Sequence, residues 1–441
     1  MTKKGILLHL AHVNRVNEKN PFELEFIKTL RRAGVKIWQH LPVNPPGKYD
    51  SPYSALSSFA GDINLLSPNL IVDNSNEDFE KWKIKNSDWV FDWALFNVLK
   101  TMNNNIEWFN WPAKFKNRNK SALNEICEVE KAHINKLIKE QYVFDKKWTS
   151  IKNKANAKGI SLFGDLPFYV ALDSADVWAN PELFDLDEKL KPRKIAGVPP
   201  DYFSKTGQIW ENPLYKWKEH KKEGYKWWQR RIEINKKRFD LLRIDHFRAI
   251  VSGWCIEYGS ENAINGYWRR GPGHELLDKI TEVIPPRKLI AEDLGLITKP
   301  VRKLIKKYNL MGMKVLQFGY NSDKINEHHH TTITKNNICY IGSHDNNTAV
   351  GWYDEMVLNN KKTPFSSLLK KYNIDKSNCS KKMIEIAINT NANYVVITIQ
   401  DLMNLGSDYR INIPGKNEGN WKISLDQDDI FQADWDFIMN L

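Results

Sequence analysis

Eight short apolar runs, separated by helix-like stretches, constrain this chain more than any other feature. They are Ile6–Val13, Val35–Val43, Ile160–Val170, Asp240–Phe247, Leu289–Leu294, Lys314–Phe318, Ile338–His344 and Tyr394–Gln400. Runs of this length read as buried strands, and their alternation with helical segments calls for a parallel sheet. Eight such units predict an α/β fold of the (β/α)8 TIM-barrel type. The spacing between them is uneven. Residues 60–155 hold Asp78–Lys100 and Ser121–Lys154, both with Lys, Glu, Leu and Ile at helical spacing, which predicts an inserted, mainly helical subdomain. Residues 173–214 show little periodicity and are dense in Pro, Gly, Asp and aromatics, as an inserted active-site loop region would be. Lys216–Lys237 reads as one helix, with Trp227 and Trp228 assigned to packing. No repeat or Pro/Ser linker divides the chain, so residues 1–441 read as one elaborated catalytic barrel.

Composition narrows the partners. The net charge is +12 over 441 residues. The lysines are spread in pairs, as in Asn360-Lys-Lys362 and Ser380-Lys-Lys382, like solvated helix faces. No basic arm or dense block points to nucleic acid. No apolar run approaches the ~20 residues of a membrane span. The four cysteines are far apart and form no CxxC, which points away from a disulfide framework or zinc module and toward a reducing cytoplasm. Aromatic residues make up 12% of the chain. Those in loops beside Asn, Asp and Gly are suited to stack on the apolar faces of sugar rings.

Four carboxylates fall where predicted strands end. Asp165 lies in Phe163-Gly-Asp-Leu-Pro167 and Asp245 in Arg243-Ile-Asp-His-Phe-Arg248. Glu292 lies in Leu289-Ile-Ala-Glu-Asp-Leu-Gly295 and Asp345 in Gly342-Ser-His-Asp-Asn-Asn347. In a barrel of parallel strands these ends converge on one face. An isolated carboxylate there would cap a helix or pair with an arginine. Four together, beside Arg243, Arg248, His246 and His344, call for a function, because clustered buried charge is costly. Glycosyl transfer needs such a cluster without metal, thiol or cofactor. A retaining enzyme uses one carboxylate as nucleophile and a second as acid/base. Arg243, two residues before Asp245 on one strand, points to the same side and favours its ionised form. Glu292 would keep its proton through desolvation and nearby negative charge. Asp345 is placed to bind ring hydroxyls and stabilise an oxocarbenium-like transition state, with His344 adding a hydrogen bond.

These motifs carry a resemblance along almost the whole chain. Added to them are Asp50-Ser-Pro-Tyr53, Asp173-Ser-Ala-Asp-Val-Trp-Ala-Asn-Pro181, Ala196-Gly-Val-Pro-Pro-Asp-Tyr-Phe-Ser204, Thr206-Gly-Gln208 and Asn212-Pro-Leu-Tyr215. Further stretches are Gly312-Met-Lys-Val-Leu-Gln-Phe318, Leu405-Gly-Ser407 and Gly419-Asn-Trp421. The sequence resembles the 4-α-glucanotransferases of the amylomaltase, or disproportionating enzyme, family, relatives of the α-amylases. The resemblance implies Asp245 as nucleophile, Glu292 as acid/base and Asp345 as transition-state stabiliser. It also implies Ser51, Tyr53, Asp165, Arg243 and His344 around the sugar being cleaved, with Trp210 and its loop shaping the acceptor side. The implied partners are maltooligosaccharides and α-1,4-glucans. Two other readings stay open on the residues: a hydrolase on the same scaffold, and a catalytically silent glucan-binding protein.

Several positions depart from the family pattern. The first strand ends in Leu7-Leu-His-Leu-Ala-His-Val-Asn14 where a Thr-Ser-Leu-Pro-Gly-like turn is usual. Lys48-Tyr49 and Glu211 stand where glycine is usual, which bears on acceptor geometry. Asn347 replaces a common Asp and Ala249 a common Gly. His328-His-His330 lacks a recognised ligand spacing and reads as a loop near the substrate rather than a metal site.

Overall fold

The computed structural model describes residues 2–15, 20–73, 75–200, 204–321, 324–358, 364–416 and 418–441. The Asn360-Lys-Lys362 pair, and Asp201, Tyr202 and Phe203 of the expected acceptor loop, lie outside these residues.

Eight parallel strands close into a barrel in chain order. They are β1 (Lys3–Leu7), β2 (Ile37–Gln39), β3 (Ser161–Leu166), β4 (Leu241–Ile244), β5 (Leu289–Ala291), β6 (Met311–Val315), β7 (Asn337–Tyr340) and β8 (Tyr394–Thr398). Every expected run supplies one strand. Most strands are shorter than the apolar runs, because residues beyond the ladder stay buried in turns, whereas β6 lies three residues upstream of the expected Lys314–Phe318, sharing only Lys314 and Val315 with it. After β1 the chain enters a 3-10 turn at Leu10–His12, and after β6 it winds at once into the helix Leu316–Tyr320. Closure is made by β1, which pairs β8 from Lys3↔Tyr394 to Leu7↔Thr398 and pairs β2 from Gly5↔Ile37 to Leu7↔Gln39.

The period-2 alternation of strands divides the core in two. Leu7, Ile37, Phe163, Leu241, Ile290, Met313, Ile338 and Val396 fill the barrel interior. Ile6, Trp38, Leu162, Leu242, Leu289, Cys339 and Val395 face outward into the larger core beneath the helices. Gly164 fits this layer because its backbone lies against the Phe239 ring, which a Cβ would meet at 2.2 Å.

Between β2 and β3 the chain forms the helices Asn76–Lys85, Val90–Met102, Lys120–Val129 and the long Lys131–Ala157. The long helix packs on Val90–Met102 and on Lys226–Arg238. Its buried Trp148 donates to the Arg238 carbonyl at 2.9 Å.

Two features differ from the periodicity reading. Lys216–Lys237 is two helices, Trp217–Lys222 and Lys226–Arg238. Gly224 (φ 72°) and Tyr225 (φ 57°) lie between them, both in the left-handed region that ends a helix. The loop-like stretch 173–214 supplies the strands Lys194–Val198 and Gln208–Pro213. These join Ser252–Glu257 and Tyr267–Arg270 in an antiparallel sheet. Lys194–Val198 is buried through its centre, Gln208–Pro213 is half-buried at one end and buried at the other, and Tyr267–Arg270 is largely exposed, so none of the three carries the strict alternation that marks a strand.

Candidate active site

The interior row of β4 sets the site. Leu241 fills the barrel, Arg243 follows on the same side, and Asp245 stands one residue past the strand end. The ladder places Asp165 of β3 opposite Arg243, and Ile290 of β5 on its other flank. Glu292 is two residues beyond Ile290 and so continues the same inward row. Asp345 reaches the site from the turn after β7.

Arg243 ties three groups together. One guanidinium nitrogen donates to Asp165 Oδ2 at 2.5 Å and the other contacts Asp245 Oδ1 at 2.7 Å. Its Nε faces Met313 Sδ at 3.3 Å. Tyr53 also donates to Asp165 Oδ2, at 2.6 Å. The phenol stays protonated, because burial and Asp165 push its pKa well up. Burial opposes the Arg243 charge, but Asp165 and Asp245 outweigh it, and the guanidinium is held more firmly protonated than usual.

Burial raises both Asp245 and Glu292. Asp245 rises to about 7, with Arg243 opposing and Asp165 and Asp345 reinforcing. Glu292 rises to about 8, with Arg243 opposing and Asp245 reinforcing. Only Asp245 has the guanidinium in contact, so it ionises first and its charge then helps Glu292 keep a proton. Glu292 Oε1 accepts from the Leu294 N–H at 2.9 Å, which fixes its turn. The adjacent Asp293 is buried and accepts from the Met313 N–H at 2.6 Å. Gly312 leaves room for it, since a Cβ there would stand 2.7 Å from Asp293 Oδ2.

Asp345 is held from a distant segment. Asn412 donates to its Oδ1 at 2.6 Å, and Arg410 donates to its backbone carbonyl at 2.7 Å. His344 Nε2 lies 3.4 Å from the same carboxylate oxygen. Burial lowers the His344 pKa, leaving a neutral imidazole. Its ring stacks on Tyr53 at 5.2 Å between centroids, and Trp421 closes against both. Ser51 accepts from the Tyr53 N–H at 3.3 Å, which caps the turn that presents the phenol.

A cleft of about 630 Å3 is lined by Asp245, Glu292 and Asp345 together with Ser51, Tyr53, Trp210, Arg243 and His344. Asp165 lies just behind, reached through Tyr53 and Arg243. Trp210 packs edge-on against His246 at 4.7 Å. Arg248 lies over the Trp268 ring at 3.6 Å and donates to the Leu296 carbonyl. Asn412, Trp421, Tyr169 and Trp268 also line the cleft, and the residue-level reading did not single them out. Only Trp421 had a signal, within Gly419-Asn-Trp421. A second cavity, of about 730 Å3, lies between the helical insertion and helix Lys226–Arg238 and contains none of the four strand-end carboxylates. The three consecutive histidines turn to protein partners: His328 accepts from Val315 N–H, while His329 and His330 pair with the Thr331 and Tyr320 hydroxyls. His328 sits behind Phe318, which lines the cleft.

At the rim, Lys48 Nζ meets Glu211 Oε2 at 2.8 Å. Tyr49 (φ 62°) and Glu211 (φ 61°) both hold left-handed backbone there.

A family model described as 4-alpha-glucanotransferase matches residues 23–76 and 71–428. The 4-alpha-glucanotransferase of Aquifex aeolicus is 35% identical over 97% of this chain and 96% of its own length. The chloroplastic/amyloplastic 4-alpha-glucanotransferase of Solanum tuberosum is 37% identical over 95% of this chain and 81% of its own. In three dimensions the chain resembles the amylomaltase from Streptococcus agalactiae, solved in complex with acarbose. The TM-score is 0.91 and the identity 28%, covering 100% of this chain and 98% of that one.

The Arg243 bridge generates a stability prediction. Arg243→Met leaves Asp165 buried without its counter-charge, and denaturant unfolding should show a loss of about 3–5 kcal/mol. Adding Asp165→Asn removes the stranded charge and should recover about half of that loss. Equal stability of the single and double variants would show that the guanidinium does not keep Asp165 buried.

Proposed function

The chain belongs to the 4-alpha-glucanotransferase family, and from that premise we propose how its side chains perform the transfer. Asp245 attacks the anomeric carbon of an α-1,4-linked glucan and forms a covalent glycosyl ester. Glu292 gives its proton to the departing glycosidic oxygen. Glu292 then takes a proton from the 4-OH of an acceptor glucan or glucose, which attacks the ester and releases Asp245. Two inversions retain the α configuration. Asp345, fixed by Asn412 and Arg410, accepts from ring hydroxyls and stabilises positive charge at the reacting carbon. Tyr53, His344 and Trp421 form an aromatic wall for the donor sugar. Trp210 and the sheet that carries it form the acceptor wall, whose occupation by sugar excludes water and favours transfer over hydrolysis. The observation that carries this reading is the single guanidinium contacting Asp245 while Glu292, in the same cleft, has none among the described residues.

The substrates are maltodextrins and related α-1,4-glucans, a reading supported by the acarbose bound to the similar amylomaltase. Among the described residues no helix is long and apolar enough to cross a membrane. The four cysteines are unpaired and three are buried, in keeping with the reducing cytoplasm we propose as its compartment.

Incubation with maltotriose should give glucose and a ladder of longer maltooligosaccharides. Shorter sugars alone would identify a hydrolase. Asp245→Asn and Glu292→Gln should each lower the rate by at least about a thousandfold while leaving the circular-dichroism spectrum and melting midpoint near wild type. Turnover above a few per cent in folded Asp245→Asn would remove the nucleophile assignment.

The pH profile follows from the two carboxyls. Asp245 acts as the anion, so kcat/KM should rise as pH climbs through its value of about 7. Glu292 acts as the acid, so kcat/KM should fall as pH climbs through about 8. The result is a narrow bell whose limbs report the pair. Glu292→Gln should erase the alkaline limb of the residual activity, and a limb that survives belongs to another group.

A further inference from the structure

We infer that Lys48 and Glu211 form a bar across the rim of the acceptor groove, and that this bar limits how long an acceptor glucan the site takes. The inference rests on the proposed assignment of the Trp210 wall to the acceptor.

The pair joins two walls that are far apart in sequence. Lys48 belongs to the loop after β2, which also presents Ser51 and Tyr53 to the cleft. Glu211 belongs to strand Gln208–Pro213 of the auxiliary sheet and directly follows Trp210. The ion pair spans 2.8 Å, and both side chains line the same cleft as Asp245 and Glu292. They are 53% and 57% exposed, so the contact lies at the mouth. Lys48 Nζ also lies 5.0 Å from the Tyr49 ring, which extends the obstruction along the rim.

Glu211 sits where strand Gln208–Pro213 bulges against Lys194–Val198, between the Ile195↔Pro213 and Gly197↔Ile209 pairs, and a bulge of this kind re-aims the side chain it carries. Tyr49 and Glu211 occupy left-handed conformations that glycine adopts freely and that L side chains adopt at a cost. Strain of this kind persists where the surroundings impose it, and it gathers at ligand clamps. Glu211 is too exposed to repay it by burial. Its hydrogen bond in the structure goes to Lys48. A surface ion pair is also weak and salt-sensitive, so it can be displaced by an entering chain. Glucose or maltose is short enough to sit within the cleft. A longer acceptor whose distal residues run out over the rim must break the pair.

The test measures acceptor choice as a ratio. Maltotriose serves as donor, and isotopically labelled glucose and labelled maltohexaose compete as acceptors, with initial incorporation followed by mass spectrometry. Glu211→Gly and Lys48→Ala should each raise the ratio of long to short acceptor use by about three- to fivefold, the scale of a surface ion pair. The exchanged pair Lys48→Glu with Glu211→Lys should bring the ratio back to within about twofold of wild type. Raising salt from about 0.05 to about 0.5 M should move the wild-type ratio in the same direction and leave Glu211→Gly unchanged. Melting midpoints identify any variant that has lost its fold, and the exchanged pair then decides. If the single variants keep the wild-type ratio, or the exchange fails to restore it, the bar is overturned while the transfer reading stands. If wild type incorporates neither acceptor, the acceptor reading beneath it fails as well.

Discussion

Arg243 is a permanent cation placed inside a barrel whose interior is mostly apolar, with Leu, Ile, Val, Met and Phe side chains around it. A buried guanidinium is tolerated only when paired and hydrogen-bonded. It therefore requires Asp165 on the neighbouring strand and Asp245 at its own strand end. Asp165 in turn requires Tyr53, which fixes the loop after β2, and Tyr53 carries the His344 ring stacked on it. One charge thus ties together β3, β4 and the loops following β2 and β7. The chemistry follows from the same tie, since a counter-ion on one carboxyl and none on the other sets their order of ionisation.

The barrel was legible because its signals are local. Each strand overlaps a short apolar run, and the side-chain period of two puts Asp165, Arg243 and Asp245 on the interior face without knowledge of the fold. Glu292 follows Ile290 by the same rule. The rest was hidden for physical reasons. In the auxiliary sheet Lys194–Val198 is buried through its centre and Tyr267–Arg270 is largely exposed, so neither shows alternation. The helix break at Gly224-Tyr225 depends on two backbone angles, not on hydropathy. Asn412 and Arg410 reach Asp345 across more than sixty residues of sequence, from a stretch with no periodicity. The Lys48–Glu211 contact joins positions 163 residues apart, each noticeable only as a side chain where the family has glycine.

Departures from the family pattern also prove to be coupled to their surroundings. Asn347 donates to Glu355 Oε1 at 2.7 Å and to Ser407 Oγ at 3.0 Å. An aspartate there would oppose the Glu355 carboxylate with a second negative charge. The amide suits this neighbourhood, and it lies two residues from Asp345 on the turn that presents it. His9, at the altered end of β1, is buried with its pKa lowered by burial and by the neighbouring His12, His40 and His344. The altered turn is thus packed around buried, neutral imidazoles.

The pairing of β1 with β8 has a consequence for how the protein is made. Lys3 and Tyr394 are partners, so the barrel cannot close until β8, far along the chain, has left the ribosome. At roughly 5–20 residues per second, the second edge of β1 waits on the order of 20–80 s for its partner. Throughout that interval the growing sheet has open parallel edges able to capture another strand. Closing the barrel is therefore a late, non-local step, and the second edge of β1 is the last to be covered.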